Sequence, residues 1–157
     1  MRDEGRDRPA AAVPGVDATI TGAWAAQAER AGFASVGVID RLVYDNLEPL
    51  TTLAAAAACT ERVELLTTVL NVGWRANPVL LAKQMASVDL LSGGRLTAGL
   101  GLGGWPEDFA ASDVPTSGGG ARIRQALATM RQARVRWSGR DGGVWAGPST
   151  GCPTGGC

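Results

Sequence analysis

The sequence predicts an α/β protein with a parallel sheet, built from tandem helix–strand steps. Three observations predict it. Segments with apolar residues at helical spacing alternate with short, mostly apolar runs rich in β-formers. Glycines or a short Glu-Arg pair punctuate each return from helix to strand. One stretch, Asn77 to Trp105, holds a complete step in order: helix, tight turn, strand and glycine-rich loop.

Residues 1–16 are rich in Arg, Asp, Ala and Pro, lack an apolar period, and read as a disordered lead. Asp17 is a plausible cap for a helix through Ile20, Trp24, Ala28 and Ala31 that ends at Gly32. Phe33 to Ile39 reads as a buried strand, with Asp40 and Arg41 at its C-terminal end. A loop over 42–47 follows. The next helix opens near Glu48-Pro49 and runs through five consecutive alanines, the best helix former and one that allows close packing on a sheet. Glu61-Arg62 makes the return, and Val63 to Leu70 is a second strand.

After a loop over 71–76, Asn77 can cap a third helix, with Pro78 at the first helical position, where a missing N–H costs nothing. Val79, Leu80, Ala82, Met85, Ala86, Val88, Asp89 and Leu90 give that helix its period. Gly93-Gly94 supplies the left-handed residue that ends it. Arg95 to Leu102 reads as a strand covered on both faces. Gly99, Gly101, Gly103 and Gly104 leave the backbone open to close approach. A short helix over 106–111, a loop over 114–120 and a helix from Ala121 to about Trp137 complete the pattern, with Ile123, Leu127, Met130 and Val135 on or near one side. Residues 138–157, rich in Gly, Pro, Thr and Trp, read as an irregular tail, so the expected folded unit is 17–137.

Composition bounds the chemistry. Fifteen basic and fifteen acidic residues cancel, so no charge excess points to nucleic acid or an anionic membrane. There is no histidine, which removes His triads, His metal sites and His proton shuttles. Of three cysteines, Cys59 reads as a small buried hydrophobe, and the spacing of Cys152 and Cys157 fits no standard zinc pattern, so no metal is expected. No apolar run is long enough to span a bilayer, and the N-terminus lacks the apolar core of a signal peptide. A reduced cytoplasmic setting is the expectation.

The words AERAGFASVGVIDRL, EPLTTLAAAAACTERVELLTTVL, NPVLLAKQMASVDLLSGGRLTAGLGLGGWPEDF and GARIRQALATM, in that order and spacing, resemble the bacterial-luciferase-like family of flavin- or deazaflavin-dependent oxidoreductases. The resemblance implies a TIM barrel. The three strands here are then the family's second, third and fourth, with no counterpart of its first strand or of strands five to eight. The expected fold is a partial TIM (β/α)8 barrel of about three parallel strands with flanking helices. The implied cofactor is FMN or a deazaflavin (coenzyme F-420), acting on a small molecule. The implied chemistry is reduced flavin with oxygen, or deazaflavin hydride transfer, with weak or no activity expected of this chain alone. The alternative is a non-catalytic barrel fragment that self-associates, and a homo-oligomer is expected.

Barrel ligands sit at the C-terminal ends of the strands. Family members often carry a histidine after the second strand. This chain has Asp40 and Arg41 there, candidates for the substrate, with Arg41 either meeting an anionic group or forming a solvated ion pair. Leu70, Asn71 and Val72 fall where the family bulges the chain beneath the flavin ring, often with a non-prolyl cis peptide. Asn71 either bonds the flavin or is an ordinary loop residue. Gly101, Leu102 and Gly103 would lie along the cofactor, or serve tight strand-to-loop packing. Arg75 is a partial stand-in for a phosphate site that barrels usually build after strands seven and eight. Residues 99–104 also match GxGxxG, but they close the third unit instead of opening the first, so a dinucleotide fingerprint is disfavoured. No catalytic residue is assigned.

Overall fold

A computed structural model describes residues 20–137. The lead over 1–16, the Asp17 cap and the tail over 138–157 lie outside those residues. The elements are α1 (Thr21–Arg30), β1 (Ser35–Val38), α2 (Pro49–Cys59), β2 (Glu64–Asn71), α3 (Pro78–Leu91), β3 (Leu96–Gly101), α4 (Pro106–Ala111) and α5 (Gly119–Trp137).

Local chemistry explains the boundaries. Glu48 caps α2 by accepting from the Thr51 N–H at 2.7 Å, and Asn77 caps α3 by accepting from the Leu80 N–H at 3.0 Å. Pro49, Pro78 and Pro106 each open a helix. Gly32 at φ +86° follows α1, and Gly93 and Gly94, at +70° and +86°, follow α3. The Ile20 side chain provides no cap for α1. The last helix begins at Gly119, two residues earlier than its pattern suggests.

The strands form one parallel sheet in the order β1-β2-β3. Leu53, Leu65 and Leu70 are fully buried, and Leu81, Met85 and Val88 join them in a core between the sheet and α2 and α3. Burying each such leucine is worth about 1.5–3 kcal/mol. Val36, Val38, Leu96, Ala98 and Leu100 pack on the same core. Alternate residues point the other way. There Gly37 faces Thr68, Val69 lies over Gly99 and Gly101, and the Thr97 hydroxyl donates to Glu64. No helix covers that face among the described residues. β3 is therefore not buried on both faces, as its apolar run suggests; helices cover one side only, and the other is the side a closed barrel turns inward.

Three further expectations change. Val79, Leu80 and Leu90 are exposed, because α3 turns Leu81, Ala82, Met85, Ala86 and Val88 to the core instead. Phe33 and Ile39 flank β1 and are also exposed. Cys59 is exposed at the last position of α2, where its sulfur lies against Gly22 of α1 and not in the core.

Two polar clasps hold the N-terminal ends of the strands. The Glu29 carboxylate accepts from the backbone N–H groups of Glu61, Arg62 and Val63, which lowers its pKa from the usual 4.5 to about 2. All five guanidinium protons of Arg95 are used. They go to Ser92 O at 2.6 Å, Thr60 Oγ1 at 3.0 Å, Val63 O at 2.9 Å, Ala57 O at 3.3 Å and Thr60 O at 2.8 Å.

Candidate functional site at the strand ends

The C-terminal ends of the strands carry two arginine latches. The first ties β1 to β2. Asp40, 4% exposed, follows β1 directly. Its Oδ2 accepts from the Asn71 backbone N–H at 2.7 Å, and its carbonyl accepts from Asn71 Nδ2 at 2.6 Å. Arg75 closes the ring: Nη2 donates to both Asp40 oxygens at 3.1 and 3.2 Å, and Nε to the Asn71 carbonyl at 3.2 Å. Arg75 also lies 3.7 Å from Glu48 and stacks over Trp74 at 4.5 Å. Burial pushes the Asp40 carboxyl above its usual range, against the opposing pull of Arg75 and the Asn71 N–H.

The second latch ties the loop after β1 to α4. Arg41 Nε donates to Asp108 Oδ2 at 2.8 Å and Nη2 to Glu107 Oε1 at 2.8 Å. The Val43 N–H reaches Asp108 Oδ1 at 3.1 Å. The Arg41 side chain is 13% exposed, lying 4.2 Å from the Trp105 ring and 5.5 Å from the Tyr44 ring. Burial acts to raise the Asp108 carboxyl, but the Arg41 bond and the Val43 and Leu42 N–H groups outweigh it and leave it below its usual range. The Glu107 and Asp108 pair, in the first turn of α4, also meets the positive end of that helix. Sequence reading passed over both acids. Their signal was two carboxylates after a proline-opened helix start, in a chain whose Arg41 lacked a named partner.

Between the latches lies the floor. The β2–β3 register shifts between Thr67 and Leu70, and the Thr68–Val69 peptide is cis. The bulge expected at Leu70–Asn71 therefore lies two residues earlier, because Leu70 and Asn71 return to register against Leu100 and Gly101. Thr67 Oγ1 donates to the Gly99 carbonyl and Thr68 Oγ1 to that of Val38, so both threonines serve the sheet. Val69 is exposed on the open face.

The six cofactor candidates separate. Leu70 and Val72 send their side chains into the core, since the bulge restores the pleat, and only their backbones reach the strand ends. Leu102 packs towards Gly119, and its carbonyl accepts from the Gly73 N–H. Asn71 is buried, and its amide N–H2 is committed to Asp40. Gly101 lies beneath Val69, and Gly103, at φ +88°, lies beside Asn71. Of the two substrate candidates, Asp40 is turned into its latch and Arg41 is neither free nor solvated. Arg75, too, is already paired.

A planar ring system fits this floor. Val69, with Gly99 and Gly101 beneath it, presents an uncharged surface, and a Cβ on Gly104 would meet nothing within 4 Å. The same residues offer a phosphate no charged side chain. Among the described residues, no cluster of three His, Cys, Asp or Glu could hold a metal ion, and no helix is long and apolar enough to cross a membrane.

A family model described as luciferase-like monooxygenase matches residues 5–148. Over 131 residues the chain is 36% identical to an F420-dependent glucose-6-phosphate dehydrogenase of Beutenbergia cavernae, a match covering 74% of this chain and 36% of that protein. A monooxygenase from Streptomyces bottropensis superimposes with a TM-score of 0.67 at 29% identity, over 78% of this chain and 37% of that one. The oxygenating constituent of 3,6-diketocamphane monooxygenase from Pseudomonas putida, solved in complex with FMN, gives a TM-score of 0.67 over 81% and 37% of the two chains; at 22% identity it speaks for the fold alone. The three parallel strands thus match part of a TIM barrel. The chain spans about a third of the length of the curated relatives it matches.

Proposed function

We propose, for a chain that belongs to the luciferase-like monooxygenase family, that its strand ends form one wall of a flavin or deazaflavin site for oxidation or reduction of a small molecule. The observation that carries this reading is the bare floor of Val69, Gly101 and Gly103 set between two arginine latches at the barrel's ligand-binding end. When bound, a reduced FMN supplies reaction with oxygen, or a deazaflavin supplies hydride transfer. The residues of this chain orient the ring. Val69 and the glycines support one face. The Asp40–Asn71–Arg75 latch fixes the β2 end, and the Arg41–Asp108 latch fixes the rim. No catalytic acid or base is assigned.

One wall buries roughly one face of a ring, and affinity falls with lost burial. The 157-residue chain alone is expected to bind FMN or the deazaflavin with a dissociation constant of about 0.1 mM or weaker, above about −5.5 kcal/mol, and to turn over little or nothing. Titration of each cofactor into the purified chain, followed by its fluorescence anisotropy, tests this. Tight, stoichiometric binding with turnover refutes the weak-site reading, and no binding at all refutes the wall.

A second reading is a non-catalytic unit that self-associates. Among the described residues, the outer edges of β1 and β3 are unpaired and one sheet face is uncovered, which favours it. Sedimentation velocity separates the two: a monomer that melts cooperatively counts against self-association.

A further inference from the structure

On the reading that the strand ends form the cofactor site, we infer that this site takes a neutral, largely apolar substrate, and discriminates against phosphorylated and carboxylated molecules. The rim is apolar. Leu42, Val43, Tyr44 and Trp105 are all exposed there, from 44% to 55%. They are not a loose patch. Arg41 holds the Tyr44 and Trp105 rings at 5.5 and 4.2 Å from its Cζ, and the Val43 N–H is fastened to Asp108. Two rings held this way present apolar area at little cost in side-chain entropy.

The charges point in the same direction. Arg41 faces two carboxylates, Glu107 and Asp108, and Arg75 faces two, Asp40 and Glu48. With all groups ionised, each latch carries one net negative charge. An incoming phosphate or carboxylate meets a net negative charge at each latch. Arg122, which has no carboxylate partner among the described residues, already gives one N–H from each of its three nitrogens to the carbonyls of Gly73, Ser117 and Pro115. A neutral skeleton suffers none of these costs.

The test is a titration of the full 157-residue chain with two probes, cyclohexanol and glucose 6-phosphate, following indole and backbone N–H shifts by NMR. Cyclohexanol is expected to shift the Trp105 indole and the Val43 and Tyr44 amides saturably, with an apparent affinity at least tenfold above that for the phosphorylated sugar. Tyr44→Ala, an exposed change, is expected to weaken the cyclohexanol response at least threefold. Glu107→Gln, also at an exposed side chain, removes one of the two carboxylates that offset Arg41 and is expected to strengthen the sugar phosphate response at least threefold. Equal or tighter binding of glucose 6-phosphate to the unaltered chain, or no saturable cyclohexanol response at these residues, overturns the assignment. So does a Glu107→Gln chain that binds the sugar phosphate no better. A flavin titration on the same sample reads Val69, Gly103 and Gly104, so failure of the cofactor wall is seen separately from failure of the substrate class.

Discussion

Replacing Arg95 by methionine tests how much of the fold hangs on one side chain. Methionine keeps an unbranched stem of similar reach and removes every donor. Five hydrogen bonds are lost, four of them between 2.6 and 3.0 Å and one, to Ala57 O, at 3.3 Å. Three of the carbonyls belong to the buried residues Ala57, Thr60 and Val63, at 5%, 7% and 2% exposure. A buried acceptor left without a partner costs about 1–3 kcal/mol, and water reaching part of the vacated space offsets some of it. Taking about 1–1.5 kcal/mol for each of the three gives a loss of about 3–4.5 kcal/mol, a large share of the stability of an ordinary domain. Lysine has three protons on a point charge and cannot span the same fork, so Arg95→Lys should recover less than half. The assay is urea unfolding followed by circular dichroism, with Arg62→Ala, an exposed change, as the control. A loss below about 1 kcal/mol for Arg95→Met would show that these carbonyls find other partners and that the clasp is incidental.

Two further outcomes follow from single sites. A Cβ on Gly73 would stand 2.0 Å from the Leu102 carbonyl oxygen, so Gly73→Ala must move backbone and should cost about 3 kcal/mol in urea unfolding, while Gly104→Ala, with open space around it, should cost under about 0.5 kcal/mol. Glu29 has a folded pKa lowered from 4.5 to about 2, so its contribution is fully present above pH 4.5 and is lost as the pH falls through about 2. The difference in urea midpoint between the unaltered chain and Glu29→Gln should therefore shrink between pH 4.5 and 2; a constant difference would show that charge is not what the three backbone N–H groups hold.

What residue order by itself determines is local. Glu48, Asn77, Pro49, Pro78 and Gly93-Gly94 mark helix ends because caps and left-handed residues act within three or four positions of themselves. The order of helices and strands, and the parallel sense of the sheet, follow from those boundaries and from the lengths between them. The identity of Asp40 and Asn71 as strand-end residues was legible for the same reason.

The pairings that shape the site were not legible. Arg41 meets Asp108 across 67 positions, Arg75 meets Asp40 across 35, and Arg95 reaches Ala57 across 38. Nothing in residue order ranks one carboxylate over another as a partner at such separations; packing of the loops on the sheet decides it. The position of the bulge, the burial of Leu70 and Val72, and the covering of one sheet face only are decided in the same way. The chain alone determined which segments are helix and strand and in what order, because those rules act through neighbouring residues. Tertiary structure alone decided which side chains face the ligand end and which are already spent holding it together, because that depends on what distant segments bring to the same few ångströms.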